Sequence, residues 1–190
     1  MKKGEVRIIG GLWRGRKLHF PAIPGLRPTP NRIRETLFNW LAPYLSDANC
    51  LDLFAGSGAL GFEALSRHAK SVSFIEQSSV LVSCLKTQLK QLGAENRAQV
   101  YQAQFPFAAK QLFKAKKPVF NIVFLDPPFH QNLLASVCTW LIKESLLAPE
   151  SMIYMEAESS LKKLVLPENW EIQQAKTAGQ VKYTLIKSTA

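Results

Sequence analysis

The chain has 190 residues, of which 47% are hydrophobic and 20% are charged. This composition is typical of one folded domain with a hydrophobic core, and it excludes disordered, fibrous and low-complexity proteins. No apolar run approaches the roughly 18 residues that a membrane span requires, and the first residues carry no signal-peptide pattern. The 3 cysteines are scattered, which excludes a disulfide framework and a CxxC zinc site and favours a reducing compartment. We therefore expect a cytoplasmic, soluble protein that uses no metal and no membrane.

The net charge of +10 is concentrated near the N-terminus. Residues 1–34 contain one acid, Glu5, and the basic residues Lys2, Lys3, Arg7, Arg14, Arg16, Lys17, Arg27, Arg32 and Arg34. Glycines and prolines in the same segment predict an extended arm or short hairpin over residues 1–30 rather than a helix. Clustered arginines suit phosphate contacts, and Trp13 and Phe20 offer rings for stacking. This segment indicates nucleic-acid binding, with a solvated basic tail as the alternative.

From residue 31 onward, predicted helices and strands alternate. The spacing of apolar residues predicts helices over residues 32–45, 57–69, 78–93, 106–115 and 132–146. Strands are predicted within residues 49–56, 71–76, 98–102, 119–128 and 151–158, followed by two strands within 170–187 that join at Gly179-Gln180. This alternation predicts one α/β domain over residues 31–190. Its sheet has seven mostly parallel strands, helices on both faces and an antiparallel C-terminal hairpin.

A glycine-rich loop follows the first strand of this domain. Residues 52–61 contain a complete GxGxxG, and Glu76 ends the next strand 20 residues after Gly56. The glycines let the backbone approach a ligand, and a carboxylate at that strand end can accept hydrogen bonds from both ribose hydroxyls. The context predicts a nucleoside cofactor, either a dinucleotide or S-adenosylmethionine. Asp52 beside the loop favours S-adenosylmethionine because that cofactor is a cation.

The segment Asp126-Pro127-Pro128-Phe129 follows the predicted strand at 119–125. Two prolines make this corner stiff, so the Asp126 carboxylate and the Pro127 carbonyl become fixed acceptors, and Phe129 offers a ring for stacking. Such a corner can hold and activate the exocyclic amine of an unstacked base for methylation. The alternatives are a DNA adenine-N6 or cytosine-N4 methyltransferase, a nicotinamide-dependent oxidoreductase and a non-catalytic RNA-binding assembly factor.

Several motifs together resemble a known family. DPPF resembles the amino-methyltransferases that act on bases, and LDLFAGSGALGFEALSR resembles their cofactor loop. RIIGGLWRGRKL, LRPTPNRIRETLFNWL and GQVKYTL narrow the resemblance to the bacterial 16S rRNA guanine-N2 methyltransferases of the RsmD family, over about residues 7–185. The resemblance implies a Rossmann-like class I methyltransferase fold and S-adenosylmethionine as cofactor. It also implies methyl transfer to N2 of guanine 966 of 16S rRNA, in the small ribosomal subunit or an assembly particle rather than in naked RNA.

The site residues follow from the motifs and from this resemblance. The resemblance implies that the segment at Arg27, Thr29, Arg32 and Arg34 closes over the cofactor and helps to form the pocket for its carboxylate. The candidate catalytic residues are Asp126, Pro127, Pro128 and Phe129. The candidate cofactor-binding residues are Arg27, Thr29, Arg32, Asp52, Phe54, Ala55, Gly56, Ser57, Gly58, Glu76, Gln77, Gln104 and Asp126. The candidate RNA-binding residues are Arg7, Arg14, Arg16, Lys17 and Arg34. Asn31 and Gln77 stand where the family usually has Asp. Glu35 and Glu63 are either functional or exposed helix surface, and a monomer is expected.

Overall fold

A computed structural model describes residues 3–105, 113, 118–129, 131, 133–161 and 164–189. In chain order its strands and α-helices are β1 Lys3–Arg7, β2 Lys17–Pro21, α1 Asn31–Leu41, β3 Asn49–Asp52, α2 Ala59–Ser66, β4 Ser71–Glu76, α3 Ser79–Gln91, β5 Ala98–Gln102, β6 Phe120–Leu125, α4 Leu133–Lys143, β7 Leu147–Glu158, β8 Trp170–Ala178 and β9 Val181–Ser188. The helix predicted over residues 106–115 lies outside the described residues, apart from residue 113.

Among the described residues, seven strands form the main sheet in the order β5-β4-β3-β6-β7-β9-β8. The strands from β5 to β7 are parallel, whereas β9 is antiparallel to both β7 and β8. The predicted fold class, a mostly parallel sheet with an antiparallel C-terminal pair, is therefore confirmed. The strand order reverses between β3 and β6, and ligands of open α/β sheets bind beside the carboxyl ends of the strands at such a reversal.

Alternating side chains of the central strands fill a core on each face of the sheet. Cys50 of β3 packs with the buried residues of α1, α2 and α3 on one face, and its neighbour Leu51 packs against α4 on the other. Local signals set the limits of α3. The hydroxyl of Ser78 accepts a hydrogen bond from the Leu81 N–H at its start, and Gly93 adopts φ +63° just beyond its end. These contacts match the caps expected at each end of a helix.

The N-terminal segment forms an antiparallel hairpin of β1 and β2. Trp13 and Phe20 are only 6% and 5% exposed and belong to the core beneath the hairpin. The expectation that these rings stack on bases is therefore wrong, because both are buried. Trp13 instead packs beneath the Arg97 guanidinium, whose Cζ lies 5.5 Å from the ring centroid.

Glu63 and Arg34 tie this hairpin to the domain. Glu63 of α2 is fully buried, and its carboxylate accepts the N–H groups of Ile9 and Gly10 at 2.8 Å each. Arg34 is 1% exposed, lies 3.4 Å from the Glu63 carboxylate and donates to the carbonyl of Arg7 at 2.9 Å. Glu63 is thus not helix surface. The expectation that Arg34 contacts RNA is also wrong, because protein groups surround its guanidinium.

In the described part of the chain, no helix combines the length and apolar character needed to cross a membrane.

Candidate active site

Carboxylates occupy the carboxyl ends of four neighbouring parallel strands. Asp52 ends β3, Glu76 ends β4, Asp126 directly follows β6, and Glu156 lies near the end of β7. These ends lie at the same edge of the sheet, on both sides of the reversal in strand order. The fold therefore brings together Asp52, Glu76 and Asp126, as the sequence predicts. It adds Glu156, which the sequence analysis missed.

The glycine loop between β3 and α2 is held by its own backbone and by Glu76. The N–H of Gly56 donates to Glu76 Oε2 at 2.9 Å, and the N–H of Gly58 donates to the carbonyl of Ala55 at 2.7 Å. Gly56 and Gly58 have φ +52° and +78°, a region that disfavours other residues. A Cβ at Gly58 would lie 2.5 Å from the Phe62 ring. The chain thus forms a close-packed turn at which only glycine fits. The other predicted loop residues lie alongside, with Ala55 and Ser57 buried and Phe54 half-buried.

The Glu76 carboxylate orders the loop without using all of its acceptor sites. Oε2 accepts from Gly56, and Oε1 accepts the N–H of Ser78 at 2.7 Å. Each oxygen of an ionised carboxylate has about two acceptor positions, so, as far as the described residues show, each oxygen retains one for a ligand. Two adjacent hydroxyls, such as those of a ribose, match this pair of acceptors.

Asp52 is 3% exposed, and one of its oxygens, Oδ2, accepts the N–H of Gly61 at 3.0 Å. The pKa of Asp52 is raised to about 7, mainly because the carboxyl group is buried; the hydrogen bond from Gly61 opposes this rise, and the Glu76 carboxylate adds to it. A cation bound nearby would favour the ionised form and reduce this cost. The site therefore suits a positively charged ligand.

The corner after β6 joins the segment before α1 through a hydroxyl. Thr29 Oγ1 donates to Glu156 Oε1 at 2.8 Å and lies 3.4 Å from Asp126 Oδ2. The Tyr154 hydroxyl also donates to Glu156 Oε1, at 2.8 Å. Burial, followed by the charges of Glu156 and Asp52, raises the pKa of Asp126, and burial also raises the pKa of Glu156. Asp126 is therefore a carboxylate able to take up a proton.

A cleft of about 130 Å³ lies directly beside this corner. Its walls include all three residues after Asp126: Pro127 is buried, Pro128 is exposed, and Phe129 is half-buried. Glu156 contributes a polar group to walls that are otherwise largely apolar. The cleft is thus a small, mostly apolar surface that carries a buried carboxylate next to the corner.

Other predicted residues lie outside this cluster of carboxylates. Arg27 and Arg32 flank the buried Thr29 and are exposed. Gln77 and Gln104 are also exposed. Gln77 directly follows β4, and Gln104 comes two residues after the end of β5, so both lie at the same edge of the sheet as the glycine loop. They are near enough in the fold to border a ligand, but no contact joins their side chains to the carboxylates described above.

The basic side chains of the hairpin lie at the surface. Arg7, Arg14, Arg16 and Lys17 are exposed, and Lys17 forms an ion pair with Glu5 at 3.1 Å. Exposed cations that are joined on one small element can contact successive phosphates.

Glu156 could have been found from the sequence. It interrupts the apolar run MIYMEA, and the burial of an acid in such a run needs a compensating role. The described residues contain no group of three or more His, Cys, Asp or Glu side chains arranged to hold a metal ion.

Residues 6–187 match the model of a family described as conserved hypothetical protein 95. Two proteins named ribosomal RNA small subunit methyltransferase D are similar to the chain. The Haemophilus influenzae protein is 47% identical over 188 residues, covering 98% of this chain and 95% of its own length. The Escherichia coli K12 protein is 48% identical over 187 residues, covering 98% and 92%.

Solved structures agree with this match. The structure described as putative methyltransferase yhhF from Escherichia coli has a TM-score of 0.84 at 47% identity, covering 98% of this chain and 99% of that chain. The putative methylase HI0767 from Haemophilus influenzae has a TM-score of 0.82 at 44% identity, covering 98% and 100%. The resemblance seen in the motifs is confirmed: the chain belongs to the ribosomal RNA small subunit methyltransferase D family.

Proposed function

We propose that the protein transfers a methyl group from S-adenosylmethionine to the N2 amino group of one guanine of 16S rRNA, guanine 966 in the standard numbering. The substrate is the small ribosomal subunit or an assembly intermediate, and the protein acts as a monomer in the cytoplasm. The observation that carries this proposal is the Asp126-Pro127 corner beside the glycine loop, at one edge of the sheet. The names of the relatives support an rRNA substrate.

The residues at the glycine loop fit the cofactor. The free acceptor positions of Glu76 match the ribose hydroxyls, and the buried Asp52 matches the cationic end. Arg27 and Arg32, on either side of Thr29, are suited to the cofactor carboxylate. When bound, S-adenosylmethionine supplies an electrophilic methyl group on a positively charged sulfur.

The corner residues act on the base. The lone pair of the guanine amino group is delocalised into the ring, so this nitrogen is a weak nucleophile. The Asp126 carboxylate and the Pro127 carbonyl accept its two N–H groups, orient the nitrogen and stabilise the positive charge that develops on it. Because the pKa of Asp126 is raised, its carboxylate is well suited to take the proton that the nitrogen releases. Phe129 provides a ring on which the unstacked base can rest.

In this proposal the hairpin binds RNA, and the rest of the chain carries out the methyl transfer. The hairpin within residues 1–30 binds the rRNA backbone through Arg7, Arg14, Arg16 and Lys17, and residues 31–190 form the catalytic domain. The exposure of these four side chains supports this division.

The decisive experiment measures transfer of labelled methyl from S-adenosylmethionine to small subunits that lack the modification. Naked 16S rRNA and duplex DNA are tested in parallel, and the product nucleoside is analysed. We expect N2-methylguanosine on the subunits.

Asp126→Ala should lower transfer by about 10²- to 10³-fold and change cofactor affinity little, because it removes a group that acts in the transition state. Full activity of this variant would contradict the mechanism.

The other outcomes separate the alternatives. Label in N6-methyladenine of DNA would keep the chemistry and overturn the substrate. Cofactor binding without transfer to any of the substrates would instead indicate a non-catalytic assembly factor.

A further inference from the structure

Glu156 is a buried carboxylate that the methyl-transfer scheme does not use. It is 3% exposed and lines the cleft beside the corner, together with Pro127, Phe129 and Leu164. An acid in such a wall loses much of its hydration and is retained only where other groups compensate it. The position of Glu156 therefore suits a ligand in the cleft that donates a hydrogen bond to this carboxylate.

The neighbours of Glu156 hold one of its oxygens and leave the other available. The hydroxyls of Thr29 and Tyr154 both donate to Oε1, at 2.8 Å each. Two donors on one oxygen fix the orientation of the group, and they oppose the rise in its pKa that burial causes. Across residues 3–105, 113, 118–129, 131, 133–161 and 164–189, no hydrogen bond to Oε2 is present. When ionised, a carboxylate held in this orientation accepts hydrogen bonds through its free oxygen and cannot donate.

This acceptor lies next to the catalytic corner. Thr29 Oγ1 is 2.8 Å from Glu156 Oε1 and 3.4 Å from Asp126 Oδ2, so one hydroxyl spans the two carboxylates. The N1 and N2 atoms of guanine are likewise neighbours on one edge of the base. A guanine whose amino group meets Asp126 can therefore place its N1–H toward Glu156.

The bases differ in the ring nitrogen that lies on this edge. Guanine carries a donor at N1, whereas adenine at N1 and cytosine at N3 carry a lone pair. We propose that Glu156 selects guanine by accepting its N1–H, while the Asp126-Pro127 corner accepts the hydrogens of the amino group. This inference rests on the proposed function and adds the residue that reads the base. A buried acceptor rejects a base that offers it a lone pair, because both groups are then left without a donor.

The test compares guanine with 2-aminopurine at the target position of reconstituted small subunits. 2-Aminopurine keeps the amino group that is methylated but has a lone pair at N1. The wild-type protein should methylate guanine at least 10-fold better, judged by kcat/KM. In Glu156→Gln, the side-chain amide can still accept from Thr29 and Tyr154 and can now donate to N1. We expect the guanine-to-2-aminopurine ratio of kcat/KM to fall by about 100-fold.

Two further variants distinguish selection of guanine by Glu156 from a purely structural role of this residue. Glu156→Asp keeps the charge and should keep the preference for guanine, even with slower transfer. Tyr154→Phe removes a hydrogen bond to Oε1 but no carboxylate, so it should change kcat/KM for both bases in parallel. Thermal unfolding and cofactor affinity establish that each variant is folded.

The outcomes distinguish the inference from the function on which it rests. If the wild-type protein leaves guanine unmethylated, the proposed function fails. If it methylates guanine and 2-aminopurine equally well, base selection by Glu156 is overturned without any variant. If Glu156→Gln lowers both activities by the same factor, Glu156 only supports the corner.

Discussion

Glu63 joins three parts of the chain through one fully buried carboxylate. It accepts two N–H groups from residues 9–10 of the hairpin, faces Arg34 of α1 and accepts from Arg67 Nε at 2.7 Å. Burial lowers the pKa of Arg34, and the Glu63 charge offsets part of this effect. The buried Arg34 charge thus depends on the Glu63 carboxylate as its ionic partner.

Removal of this carboxylate should therefore be costly. We expect Glu63→Ala to lower the free energy of unfolding by about 3–5 kcal/mol, because it leaves a buried guanidinium without its partner. Urea denaturation measures the change. Glu35→Ala, on the exposed face of α1, is the control and should stay within about 0.5 kcal/mol of the wild type. If Glu63→Ala lowers the free energy of unfolding as little as the control does, Glu63 and its partners do not hold the hairpin.

The raised pKa of Asp52 predicts that the stability of the fold depends on pH. Its pKa is raised from 3.8 to about 7, so the folded protein favours the protonated form. In the unfolded chain Asp52 ionises near its ordinary pKa, and folding therefore becomes less favourable as the pH rises from about 4 to about 7. Asp52→Asn removes this penalty and keeps an oxygen that can accept from Gly61. The variant should gain stability relative to the wild type over this range, by up to about 4 kcal/mol above pH 7.

The measurement is urea denaturation of both proteins at pH 4 and pH 8, with cofactor affinity at pH 8. We expect Asp52→Asn to bind S-adenosylmethionine more weakly, because the cation loses a carboxylate. A stability difference that does not change between the two pH values would contradict the assigned pKa.

At the scale of elements, the sequence predicts those whose signals are local. The run VFNIVFL predicts β6, Ser78 and Gly93 predict the ends of α3, and each agrees with the structure. The carboxylates that end β3 and β4 are equally predictable, because a parallel sheet brings successive strand ends to one edge.

The wrong predictions concern contacts between distant segments. Basic and aromatic residues near the N-terminus indicate an RNA-binding surface, but the local pattern does not say which side chains face the domain. The hydrogen bonds from Ile9 and Gly10 to Glu63 span 54 and 53 residues, and the hairpin buries Trp13 where it packs on α2. Glu156 was missed for a related reason, since its two hydroxyl donors come partly from residue 29, 127 positions earlier.

At the scale of the whole molecule, the charge distribution predicts how RNA binding depends on salt. The net charge is +10, and Arg14 and Arg16 are exposed on the hairpin. Exposed Lys70 directly precedes β4, and Lys143 ends α4 before β7, so both lie at the edge of the sheet opposite the carboxylates. Two pairs of cations can therefore be compared at equal net charge.

We expect Arg14→Ala/Arg16→Ala to reduce the slope of log K for 16S rRNA against log salt concentration by about 1.4–1.8, because each phosphate contact contributes about 0.7–0.9 through counterion release. Lys70→Ala/Lys143→Ala changes the net charge equally and should leave the slope almost unchanged. Binding of labelled rRNA over a series of salt concentrations measures both, and cofactor affinity should be equal in the two variants. If the two slopes fall equally, net charge alone attracts the RNA and the hairpin is not its contact surface.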